Sequence, residues 1–136
     1  MYLPSINRPE CEINNQLFHY PPKATSGLKK RTYGFAEQHK IKAGFVATCV
    51  GSLEQVNLRY ANQSGGTLLK GHFEILSLSG TFNQTSAHLH LSIADSTGRT
   101  IGGHLLDENL IYTTAEIVIG VLLDIEFTRE TDTTYG

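Results

Sequence analysis

The chain has 136 residues, 40% of them hydrophobic and 18% charged, with two cysteines, no tryptophan and a formal net charge of -2. That length suits one domain able to bury a core without disulfide or metal staples. The charge balance argues against a free-standing nucleic-acid binder, whose phosphate contacts need a basic surplus. With no signal peptide and no long apolar span, the expectation is a cytoplasmic chain with reduced thiols and no membrane contact.

In chain order, residues 1–12 read as an irregular arm and residues 13–136 as a single domain. Ile13 to Tyr20 reads as a first strand, stopped by Pro21-Pro22. A helix follows from Ser26 to His39, with Ser26 or Thr25 as N-cap. Leu28, Thr32, Phe35, Ala36 and His39 form its apolar stripe. Gly34 inside it costs about 1 kcal/mol relative to alanine. Residues 23–42 carry Lys23, Lys29, Lys30, Arg31, Lys40 and Lys42 against Glu37, a net of +5, which leaves -7 for the rest. Lys29, Lys30 and Arg31 are therefore candidate anion-binding residues, although solvated faces and complementary oligomer surfaces produce the same asymmetry.

The remaining segments are strand-like: Ala43–Val50, Gln55–Tyr60, His72–Ser79, His88–Ala94, Thr100–Leu106, Ile111–Leu123 and Ile125–Arg129, with Gln63-Ser64-Gly65-Gly66 as the clearest loop. One helix beside a mainly antiparallel sheet is an α+β arrangement. Cys11 lies in a polar stretch, and Cys49 reads as a small core residue.

The candidate site is a histidine trio. In a strand, side chains alternate faces, so His88 and His90 share one face while Leu89, Leu91 and Ile93 share the other. His104 sits on the return strand, after Gly102-Gly103. It joins the face of His88 and His90 only if the hairpin loop has an odd number of residues, because opposed residues share a face and have a constant index sum. A three-residue loop with a bulge or a five-residue loop satisfies this, the five-residue reading, Asp95 to Arg99, setting His90 opposite His104, whereas two or four residues turn His104 away. The glycine pair has two readings of equal weight, a packed neighbouring strand or clearance for an ion or ligand. Three imidazoles with an open fourth position favour zinc, with nickel, copper or iron as alternatives.

Glu74 and Glu116 lie inside otherwise apolar segments, where a buried carboxylate needs a partner. Each is a candidate fourth ligand, a candidate base for metal-bound water, or a structural partner of Arg59 or Arg129, the last being the preferred role. His72, His39 and His19 read as surface or packing residues. Although His-x-His is found in cupins, Asp95 stands where a glutamate is expected and the second cupin motif is missing, which excludes that reading.

Several blocks in order resemble the PPC (plants and prokaryotes conserved) domain over nearly the whole chain: Ala43-Gly44-Phe45-Val46, Cys49-Val50-Gly51-Ser52-Leu53, Val56-Asn57-Leu58-Arg59, residues 71–80, the His88–His104 hairpin, residues 113–119 and Phe127-Thr128-Arg129-Glu130. The resemblance implies a curved, mainly antiparallel sheet with one packed helix, assembling as a homotrimer. It also implies that the trio suits a divalent metal, as in single-domain prokaryotic forms. Plant members join the domain to AT-hooks around an Arg-Gly-Arg-Pro core, for which the nearest match here is Arg8-Pro9. His72 replaces the arginine of the plant Gly-Arg-Phe-Glu-Ile-Leu motif, so a partner contact through that arginine does not transfer. The expected function is a homotrimeric, metal-binding interaction or regulatory module acting through a protein partner or small ligand. The alternatives are a DNA-binding regulator without AT-hooks, contacting nucleic acid through Lys29, Lys30 and Arg31, and a metal-dependent hydrolase using Glu74 or Glu116.

Overall fold

The computed structural model describes residues 16–20 and 27–128. The N-terminal arm, the opening of the first strand before Gln16, the caps Thr25 and Ser26, Cys11 and Arg129 lie outside them. Among the described residues the order is β1 (Gln16–Tyr20), α1 (Leu28–Gln38), β2 (Gly44–Arg59), β3 (Thr67–Phe82), β4 (Ala87–Ala94), β5 (Thr100–Leu105) and β6 (Leu110–Val121). All pairings are antiparallel, in the order β1-β6-β2-β3-β4-β5. The fold is the expected α+β arrangement.

Two departures from the sequence reading shape it. Ala43–Val50 and Gln55–Tyr60 are parts of one 16-residue strand, β2. The polar stretch between them stays in the ladder because β2 shifts register against β6 at Val46/Thr48, Gly51/Leu53 and Leu53/Gln55, and such bulges bend a strand without ending it. Beyond the bend, β2 leaves β6 and pairs Leu58 with Leu105 and Arg59 with His104. Strands β2, β3, β4 and β5 thus close on themselves, removing the free edge of β5 at that point. The second departure is Ile125 onward: residues 125–128 form no strand. That segment is tied down singly, with Phe127 N donating to Lys42 O at 3.2 Å and Asn83 Nδ2 donating to Phe127 O at 2.9 Å.

The helix begins at Leu28 with Gly27 as its N-cap, one residue later than a Ser26 cap predicts, and ends at Gln38. Leu28, Thr32 and Ala36 are its buried residues, Phe35 is half-buried, and His39 is exposed and stacked on Phe35. Leu28 and Ala36 join Leu53, Val56, Leu58, Leu89, Leu91, Ile93, Leu105 and Ile117 in one apolar core. Cys49 is buried there, and desolvation pushes its thiol up to about 12, as the core reading requires.

Asn109, fully buried, went unnoticed in the sequence. Its Oδ1 accepts from Asn57 N at 2.8 Å, its Nδ2 donates to Leu106 O, and its own carbonyl accepts from Leu28 N at 3.3 Å. It ties the β5–β6 turn to β2 and to the start of α1, which holds the closure in register. Asn109→Ala leaves a buried N–H unpaired and is expected to lower unfolding free energy by about 1–3 kcal/mol in urea titrations. Gly34, by contrast, has open space where a Cβ would go. Gly34→Ala is expected to stabilise by about 0.5–1 kcal/mol in the same measurement.

Candidate metal centre

The β4–β5 hairpin has the five-residue loop. Pairing runs from Ala94 with Thr100 to His90 with His104, an index sum of 194 throughout. The loop is held by Asp95, whose Oδ1 accepts from Thr97 N at 2.8 Å, Thr97 Oγ1 at 2.6 Å and Arg99 N at 3.1 Å. Asp95 O accepts from Gly98 N, and Asp95 N donates to Arg99 O. These bonds, with Thr97 foremost, hold the Asp95 carboxyl below its ordinary value, favouring the charged acceptor the loop uses. Burial alternates along β4 as the pattern demands: Leu89, Leu91 and Ile93 face the core, and His88 and His90 face out.

The three imidazoles converge. Ring centroids lie 5.3 Å apart for His88 and His90, 4.9 Å for His88 and His104, and 5.6 Å for His90 and His104. One ligand nitrogen from each falls within 4.8 Å of the others. His104 is half-buried, and its Nδ1 is enclosed without a hydrogen-bond partner. An enclosed imidazole nitrogen with no partner is costly unless something occupies its lone pair or proton. Burial first, then the charges of His88, Arg59, Lys29 and His90, push the His104 pKa down to about 4, so the ring stays neutral to well below physiological pH. That is the protonation state a metal requires.

The glycine pair has the packing explanation. A Cβ on Gly103 would stand 2.7 Å from Arg59 O, and one on Gly102 would stand 2.9 Å from Leu91 O. Both positions are close approaches of neighbouring strands. Gly103 is what allows β5 to lie against β2 and complete the closure.

Neither carboxylate enters the cluster. Glu74 and Glu116 are both exposed, correcting the expectation of buried acids. The apolar stretches around them alternate faces, and the outward face also carries exposed Leu76 and Val50. Glu74 pairs with Ala94, four residues from His90 along β4, or roughly 13 Å at strand spacing. Glu116 lies on β6 opposite Val50 and His19. No ion pair joins either acid to Arg59 among the described residues, and Arg129 lies outside them. The hydrolytic reading loses the base it named. His72 is exposed and its ring meets Tyr112 at 4.3 Å, while His19 is placed on β1. Lys29, Lys30 and Arg31 open α1 at consecutive positions, which a helix spreads around its axis. Lys29 acts on His104, whereas Lys30 lines a groove of ≈ 460 Å³ with Asp107 and Glu108.

An antiparallel sheet partly closed by the β2–β5 pairing, with one helix packed on it, defines a particular class of small α+β domain. The family model of the Plants and Prokaryotes Conserved (PCC) domain matches residues 28–123, and the chain belongs to that family. The bifunctional protein GlmU of a Synechococcus species is 45% identical over 134 residues, covering 97% of this chain and 22% of that protein. AT-hook motif nuclear-localized protein 2 of Arabidopsis thaliana is 34% identical over 113 residues, covering 74% of this chain and 32% of that protein. The chain therefore spans between about a fifth and a third of these curated relatives. Among solved structures, a hypothetical protein from Salmonella enterica superposes with a TM-score of 0.85 at 35% identity, covering 93% of this chain and 90% of its own. A metal-containing protein from Archaeoglobus fulgidus superposes at 0.68 with 24% identity, covering 83% of each chain, a likeness of fold.

The depressed His104 pKa has a consequence for the metal-free protein. The folded state resists protonating a ring that the unfolded chain protonates near the ordinary 6.5. Below that value the unfolded state binds more protons, so stability falls as pH drops from about 6.5 to about 4. Thermal melts across this window are expected to show that slope in wild type and a flatter one in His104→Gln.

Proposed function

We propose that this chain is a metal-binding, self-associating PCC module in which His88, His90 and His104 hold a divalent cation, zinc by preference. The observation that carries the reading is the convergence of three ligand nitrogens within 4.8 Å, one of the three rings holding an enclosed, unpartnered nitrogen. Nitrogens around a tetrahedral zinc at about 2.0–2.1 Å stand about 3.3 Å apart. Closing from 4.8 Å to that spacing requires the rings to turn inward, and His88 and His90 are both exposed. A metal-containing protein shares this fold, which supports the reading. Three neutral ligands leave one position for an incoming group, so the module acts through a small ligand or a partner side chain rather than as a closed structural site.

Self-association is supported by the outward face of the sheet. The register that pairs Phe45 with Thr81 and Ser52 with Glu74 sets Val50 opposite Leu76. These two apolar side chains are 57% and 53% exposed. Neighbouring apolar residues left in water on a sheet face mark a protein contact. The assembly proposed is a homotrimer.

Metal analysis of tag-free protein tests the site. One zinc per chain is expected, with affinity falling in His104→Ala by more than the roughly 10–100-fold that loss of an outer hydrogen-bonding partner costs. Metal retained after replacement of all three histidines would refute the reading. Light scattering tests the assembly: a mass near three copies of the 15.0 kDa chain is expected, shifting to one copy in Val50→Asp. A wild-type monomer would remove the trimer and leave the metal site standing.

A further inference from the structure

We infer that the open position of the histidine centre takes an oxyanion, carboxylate or phosphate, and that Arg59 is the residue that selects it. The inference rests on the proposed metal site and names its ligand class. Residues His90, His104 and Arg59 form one row across three adjacent strands, His90 paired with His104 on β5 and His104 paired with Arg59 on β2. Directly opposed residues point to the same face, with Cβ atoms about 4.5–5.5 Å apart. The Arg59 side chain therefore rises from the same surface as the imidazoles, next to the most buried of them. It is exposed, and among the described residues it has no carboxylate partner.

Charge points the same way. Three neutral imidazoles leave the full double charge of a divalent cation uncompensated. The charged side chains that act most strongly on His104, apart from the other two histidines, are Arg59 and Lys29, both positive, and among the described residues no carboxylate joins the ligand cluster. A second positive charge beside a cation is unfavourable until an anion lies between them. Shape then narrows the anion. A guanidinium presents a planar fork of N–H donors matched to a group with two or more oxygens, so one oxygen faces the ion while another accepts from Arg59. Chloride satisfies the charge but not the fork, and a neutral imidazole satisfies neither.

The test uses the full chain loaded with cobalt(II), whose visible spectrum reports its ligands. Cobalt stoichiometry is measured first, then acetate, inorganic phosphate, chloride and imidazole are titrated at constant ionic strength. Acetate or phosphate is expected to shift the spectrum at lower concentration than chloride, and whichever of the two binds more tightly identifies the source of the oxyanion. Arg59→Gln is expected to weaken that binding about tenfold or more with cobalt stoichiometry unchanged. Arg59→Lys, which keeps charge but loses the fork, is expected to fall between. Should Arg59→Gln fail to fold, Arg59→Lys and Lys29→Gln carry the comparison. Undiminished oxyanion affinity in the Arg59 variants, or a cobalt spectrum that no anion alters, would overturn the inference while leaving the metal site intact. A chain that binds no cobalt would overturn the metal reading beneath it.

Discussion

The structure depends on the register of one hairpin. With the loop at five residues, every outward position of β4 meets an outward position of β5, and His104 lands opposite His90. A slip of one residue would turn all of one strand over. Two independent devices prevent it. On the loop, the Asp95 carboxylate gathers three donors from Thr97 and Arg99 and defines where the chain turns. On the strand, Leu89, Leu91 and Ile93 are almost completely buried, and a slip would drive them into water. The core thus fixes the site: the apolar face of β4 determines where its histidines point.

The second constraint is closure. Hairpin pairing alone produces a row of imidazoles at the edge of a sheet. The bulged, bent β2 comes back to cover that edge, and Gly103 lets the two backbones approach. Closure half-buries His104, encloses its Nδ1 and brings Arg59 beside it. The resistance of that ring to protonation in mild acid is therefore a product of long-range topology. Asn109 serves the same junction by satisfying the backbone of Asn57 where β2 changes partners.

What could be read in the sequence follows the range of the interactions. The hairpin, its loop length as one of a few options, the face of each histidine and the helix stripe are local, and all are written in alternation, turn residues and helical periodicity. The join of Ala43–Val50 to Gln55–Tyr60 was hidden because a polar interruption reads the same whether a strand ends or bulges. Glu74 and Glu116 looked buried because exposed Val50 and Leu76 carry apolar side chains onto the outward face, blurring the alternation. Ile125 onward has strand composition but no strand beside it to complete a ladder. Arg59 reads in the sequence as part of a family block and as a structural partner for Glu74 or Glu116; nothing within ten residues of it hints at His104, and only the β2–β5 pairing brings them together.

In the proposed site three rings from one hairpin share one ion. X-ray absorption at the zinc edge of the loaded, tag-free protein tests this most directly, because imidazole scattering counts the rings. Three imidazole nitrogens at about 2.0–2.1 Å and a further oxygen donor are expected. A zinc environment with two imidazoles or fewer, or with sulfur, would contradict it.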